Sequence, residues 1–147
     1  MTMDGNNLLD AARRYLSRGW MPVYVEPGRK GPRRKGWQTQ RLPEGDLPAH
    51  FGRPGNIGII LGKPSGGLVD VDLDCPEAVE LADQFLPPTP AVTGRPSAKR
   101  SHRWYNCDIP CTKQFRDPKT NEMIVELRST GGQTLVGPSI HASGEPY

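Results

Sequence analysis

The residues best suited to chemistry are the three acids of Asp70-Val-Asp72-Leu-Asp74. In an extended strand, residues two apart point to one face, about 6.5–7 Å apart at Cα, so these carboxylates line a single surface. Val69, Val71 and Leu73 then line the other face and belong to a core. Like charges in such a row destabilise a sheet unless a cation sits among them. Mg²⁺ or Mn²⁺ takes oxygen ligands and, held between two carboxylates, keeps positions for phosphate and water. The alternative is a solvated strand edge, with Asp74 or Cys75 capping the next helix. Glu126 ends a second apolar strand, Met123-Ile-Val. A third carboxylate arriving from another strand is what a two-metal phosphoryl-transfer site requires.

Cationic groups flank these acids in sequence. His102 follows Lys99-Arg100 and can donate to a triphosphate through a ring nitrogen; a histidine making one structural hydrogen bond is the plainer reading. Lys30, Arg33, Arg34 and Lys35 precede Trp37 in a Gly/Pro-punctuated loop, a combination of charge and aromatic surface suited to nucleic-acid phosphates. Trp37 itself reads first as a packing anchor. His141, after Pro138-Ser139, could touch phosphate or base, or be a solvated loop residue; His50 suggests no role. Gly62-Lys-Pro-Ser-Gly-Gly67 lacks the spacing and the following helix of a P-loop, which excludes a Walker-type NTPase at this segment. Cys107 and Cys111 could form half of a zinc site, but with Cys75 they make an odd number that completes no zinc pattern.

Alternation and punctuation supply the elements that position these groups. Leu8, Leu9, Ala12, Tyr15 and Leu16 recur at helical spacing, with Asn6 or Asn7 as a cap and Gly19 as a stop. Residues 21–25 read as a strand, 38–55 as irregular backbone, and 56–61 and 68–73 as two strands forming a hairpin or close neighbours. Pro76 opens a helix through Leu86 whose apolar face is Ala78, Val79, Ala82, Phe85 and Leu86, and Pro87-Pro88 ends it. Further strands fall at 91–93, 101–105, 123–127 and 133–136, separated by a cationic loop (94–100) and a polar excursion (106–120). The class is α+β, rich in strands and long connections.

A chain of 147 residues with 17 Gly and 16 Pro is one turn-rich domain, and its ten aromatics argue against disorder. No apolar run reaches the roughly 18 residues of a membrane span, and residues 1–9 are no signal peptide, so a cytoplasmic protein without membrane contact is expected. The net charge of +3 is unevenly spread: residues 1–55 carry ten Lys and Arg against five Asp and Glu, residues 56–147 nine against eleven. A basic front followed by acid-bearing strands suits a protein that attracts a polyanion and holds a divalent ion at one place.

The order of these motifs resembles one family. Gly19-Trp20, Lys30-x-Pro32, Gly36-Trp37, Asn56-Ile-Gly58, Gly62-x-x-Ser-Gly66, Asp72-x-Asp74, a histidine after a Gly/Arg loop, Glu126-x-Arg128, Gly131-Gly132 and Pro138-Ser139-x-His141 succeed one another as in the bifunctional primase/polymerase N-terminal domain. This is a branch of the archaeo-eukaryotic primase superfamily typical of plasmid, phage and prophage replication proteins. The resemblance runs from about Leu8 to Tyr147. It implies a primase-like catalytic core, an RNA-recognition-type sheet with helices on one face, plus a small N-terminal α/β part.

It further implies template-directed joining of (d)NTPs on single-stranded DNA. Asp72, Asp74 and Glu126 would be the catalytic, metal-binding acids for Mg²⁺ or Mn²⁺, with Asp70 an extra acid on the same face. His102, Arg100, Lys99 and Arg128 would bind the nucleotide, and Lys30, Arg33, Arg34 and Lys35 the DNA. Three positions depart from the family pattern. Glu126 stands where Asp is commoner, Arg100 lies two before His102 where the superfamily has Ser, and Gln133 falls where a basic residue often holds triphosphate. Such domains often precede a helicase-type domain or act with a helicase subunit, so 1–147 is expected to be the N-terminal part of a larger replication protein. Two other readings use the same residues: a single-stranded nucleic-acid-binding module without turnover, and a metal-dependent nuclease.

Overall fold

The computed structural model describes residues 5–147, which form two antiparallel sheets and three α-helices. Helix α1 (Gly5–Ser17) buries Leu8 and Ala12, and Gly19 terminates it in a left-handed conformation. Asn6 and Asn7 lie within the described span of the helix and so do not precede it as caps. Strands β1 (Met21–Val25) and β2 (Asn56–Ile60) pair antiparallel, and the late strand β8 (Gln133–Val136) joins the other side of β2. The N-terminal α/β part is thus completed by the C-terminal end of the chain.

The second sheet has the order β4-β5-β3-β7-β6, from β3 (Leu68–Leu73), β4 (Val92–Arg95), β5 (Ala98–Asn106), β6 (Lys113–Arg116) and β7 (Met123–Arg128). Helix α3 (Pro76–Phe85) covers one face of it, packing Ala78 and Ala82 on Val71 and Leu73. Arg103, on that same face, reaches Asp83 of α3 at 2.6 Å. The larger core lies between α1, the first sheet and Trp104.

Four further expectations are corrected. Strands β2 and β3 do not form a hairpin; they belong to different sheets and meet only at a Gly62–Leu68 bridge. The physical reason is that both edges of β2 are taken by β1 and β8, and both edges of β3 by β5 and β7. Residues 38–55 are not wholly irregular: a short helix α2 (Leu47–Phe51) places Leu47 and Phe51 in the core with no exposure. One apolar pair at i, i+4 is too little for a periodic signal. The polar excursion contains β6, an edge strand exposed at every residue and so without alternation. Phe85, placed by periodicity on the buried face of α3, is the last residue of that helix and is 51% exposed.

Phe51 packs edge-on against Tyr24 at 6.4 Å between ring centroids. Phe51→Ala should lower stability by about 3–5 kcal/mol in a denaturant titration, the usual loss for a fully buried aromatic. A change below about 1 kcal/mol would contradict the assignment of α2 to the core.

Candidate active site

Cross-strand register assembles the site. Asp70 pairs with Trp104 and Arg128, and Asp72 with His102 and Glu126, so side chains from β3, β5 and β7 share the face turned away from α3. Asp70 is fully buried and Asp72 nearly so. Asp74 lies one residue past β3, exposed at the mouth.

Arg128 links the acids. Its Nη2 lies 2.6 Å from Asp72 Oδ2, its Nε donates to Glu126 Oε1 at 3.0 Å, and its Nη1 donates to Thr134 Oγ1 at 3.3 Å. Gln114 of β6 donates to the other Glu126 oxygen at 3.2 Å. Asp70 Oδ2 accepts from Thr134 Oγ1 at 2.6 Å and contacts His102 Nδ1 at 2.9 Å. With Nδ1 protonated toward Asp70, Nε2 is the ring nitrogen left for a ligand. Asp70 Oδ1 is buried without a partner. Thr134 on β8 therefore fastens the first sheet to the acidic face of the second.

Burial and mutual charge shape the titration of these groups. Desolvation raises Asp72 above the usual carboxylate range despite the opposing Arg128. Asp74 is pushed up to about 6, first by desolvation and then by the charge of Asp72. Burial opposes protonation of His102, but its hydrogen bond to Asp70 and that carboxylate's charge win, and its pKa is raised. The acids thus crowd negative charge into a partly dry place.

A cavity of about 330 Å³ opens over this face. Asp72 and Asp74 line its acidic side; Lys30, Arg95, His102, Arg128 and His141 bring cationic or imidazole groups, and Tyr147 an aromatic ring. Of the residues expected to bind nucleotide, His102 and Arg128 line the cavity. Lys99 instead lines an adjacent hollow with Asp74 and Ser101, and Arg100 is exposed in a left-handed conformation outside both. Of the four cations expected on DNA, Lys30 lines the cavity, whereas Arg33, Arg34 and Lys35 lie on the exposed loop outside it. Trp37 packs against the main core. Cys107 and Cys111 are exposed free thiols.

Sequence reasoning missed Arg95 and Thr134. Arg95 was visible as the cation of Gly94-Arg-Pro, but nothing local marked Thr134, whose role depends on the packing of two sheets. Arg95 is held by the C-terminal segment. Glu145 accepts from Arg95 Nη1 at 2.6 Å, from Ser97 Oγ at 2.6 Å and from the Ser97 N–H at 2.9 Å. Ser139, fully buried, fixes the start of that segment by bonding both N–H and C=O of Ile57.

The hydrogen bonds from Ser97 hold the Glu145 carboxyl down to about 2, from an ordinary 4.5. Because its folded pKa is depressed, Glu145 contributes stability that is complete above pH 4.5 and lost as pH falls through about 2. Glu145→Gln should therefore lower Tm at pH 7, and the gap to the unsubstituted protein should narrow steadily as pH drops below 4.5. A gap independent of pH would contradict this.

As placed, no group of three His, Cys, Asp or Glu side chains among the described residues is arranged to hold a metal ion. The Arg128 guanidinium lies between Asp72 and Glu126. The donor set is nonetheless of the right kind for a hard divalent ion, being all carboxylate oxygen and already drawn to a cation. The family model of the bifunctional DNA primase/polymerase N-terminal domain, Prim-Pol, matches residues 12–147. The chain belongs to the Prim-Pol family. No individual curated protein matches it. Family membership supports a nucleotidyltransferase of the DNA primase/polymerase type, with DNA and nucleotides as substrates. The α+β architecture agrees with a Prim-Pol domain, and no helix among the described residues is long and apolar enough to cross a membrane.

Proposed function

We propose that this Prim-Pol domain performs template-directed nucleotidyl transfer on single-stranded DNA, joining (d)NTPs on the face formed by Asp72, Asp74, Glu126, His102 and Arg128. The observation that carries the reading is the register that sets Asp72 between Glu126 and His102 on neighbouring strands, at the floor of a cavity edged with cations. Asp72, Asp74 and Glu126 would hold Mg²⁺ or Mn²⁺, which when bound lowers the pKa of a 3′-hydroxyl and stabilises charge at the reacting phosphorus. One carboxylate pair cannot serve a guanidinium and a metal fully at the same time, so Arg128 competes for Asp72 and Glu126. Released from them, it is a cation available to the nucleotide's phosphates.

His102, oriented by Asp70, would hold the incoming triphosphate while the 3′-oxygen bonds to the α-phosphorus and pyrophosphate leaves. Arg33, Arg34 and Lys35 would track template phosphates without sequence preference, so affinity for DNA should fall steeply with salt. A cytoplasmic replication protein with a helicase domain or subunit is the setting this activity fits.

The test is primer extension with Mn²⁺ and four dNTPs, beside a lane without primer but with ribonucleotides. Extension dependent on template supports the reading, and product without primer adds priming. Shortening of the labelled strand would favour a nuclease, and strand binding with no change in length a binding module.

A further inference from the structure

We infer that Lys30 is a ligand of the nucleotide's triphosphate, and that Gln133 is the residue that positions it. The inference rests on the polymerase reading above and assigns Lys30 to the nucleotide and not to the template.

Its ground is the charge state of the cavity. Arg128 is committed to Asp72 and Glu126, Arg95 to Glu145, and His102 to Asp70. Lys30 lines the same cavity and pairs with no carboxylate among the described residues. It is the full positive charge there that an anionic ligand can use without first breaking an ion pair. Arg33, Arg34 and Lys35, three to five residues on, lie outside the cavity.

Lys30 is held there by a contact across 103 residues of chain. Gln133, at the start of β8, donates from Nε2 to the Lys30 carbonyl at 2.8 Å. Its Oε1 is buried without a hydrogen-bond partner, so the bond to Lys30 orients the amide. The route of this side chain crosses Gly58 in the middle of β2, where a Cβ would collide with it, and passes Gly31, where a Cβ would sit 3.6 Å from Nε2. Gln133 carries no charge itself. It borrows one from the N-terminal loop by pinning the backbone of a lysine that lines the cavity and carries its point charge on a flexible stem.

The experiment is equilibrium binding of a fluorescent dNTP and of the matching monophosphate, with Mn²⁺, to the unsubstituted protein, Lys30→Met, Gln133→Met and the distant surface control Lys119→Met. Single-strand DNA binding and Tm are measured in parallel. Lys30→Met should weaken triphosphate binding about ten-fold and monophosphate binding less than about two-fold, with DNA affinity nearly unchanged. Gln133→Met, equal in length but without the donor, should give a smaller loss of the same kind, and Lys119→Met none.

Triphosphate affinity within about two-fold of the unsubstituted protein in Lys30→Met would overturn the inference. So would equal losses for mono- and triphosphate, which mark a structural role, or a loss confined to DNA, which puts Lys30 on the template. If the unsubstituted protein binds no triphosphate, the polymerase reading itself falls.

Discussion

Asp72→Asn should reduce nucleotide incorporation by at least about a thousand-fold, roughly 4 kcal/mol of transition-state stabilisation, while single-strand affinity stays within a factor of about two. Asp72 is the acid on which the other groups converge: Arg128 at 2.6 Å, His102 at 3.6 Å, and Glu126 opposite it in register. The amide keeps its volume but surrenders the charge that a divalent ion would need. DNA affinity is expected to survive because the exposed cations of the loop lie elsewhere, and losing a negative charge does not weaken attraction to a polyanion. The fold should also survive, since desolvation already disfavours the ionised form of Asp72. Single-turnover incorporation and fluorescence anisotropy on the same preparation separate the two effects. Retained incorporation would remove Asp72 from the chemistry.

Asp70→Asn should reduce incorporation by about 10–100-fold, acting through His102. Asp70 has no exposure, so it acts as a positioning residue with no access to substrate. Its Oδ2 joins His102 and Thr134, fixing the imidazole and the approach of β8 together. The asparagine amide can no longer offer the same charged acceptor, so the ring loses its enforced tautomer. Two readouts distinguish positioning from general damage. The ¹⁵N spectrum of His102 should pass from one tautomer to a mixture, and KM for dNTP should rise more than kcat falls. An unchanged tautomer with the same loss of activity would contradict this role.

These expectations show how far local sequence reaches. Strict alternation in residues 68–74 made the acidic face of β3 legible, because a strand with an apolar helix on one face and a polar network on the other must segregate its side chains. The apolar stretch before Glu126 marked β7 for the same reason, and Pro76 marked the start of α3. Neighbourhood was not legible in the same way. Nothing between Leu61 and Leu68 says that β2 and β3 part into different sheets, because that outcome depends on β5, β7 and β8 occupying their edges. Thr134 and Arg95 escaped notice as site residues because each acts across a long sequence separation, and Gln133 was visible only as a departure from the family pattern, its bond to the Lys30 carbonyl being equally remote in sequence. Lys30 looked like its neighbours in a basic loop; its place in the cavity and the hydrogen bond from Gln133 separate it from Arg33, Arg34 and Lys35. Short or exposed elements such as α2 and β6 were hidden because their residues carry too little periodic contrast.

The face bearing Asp72, Asp74 and Glu126 is expected to add nucleotides under the direction of a template. The most direct measurement is single-nucleotide incorporation with Mn²⁺ on four primer–templates that differ only in the templating base, each offered all four dNTPs one at a time. The complementary nucleotide should be added on every template, with pyrophosphate released in equal amount, and both should be lost in Asp72→Asn. Addition that ignores the templating base, or activity that persists in that variant, would contradict it.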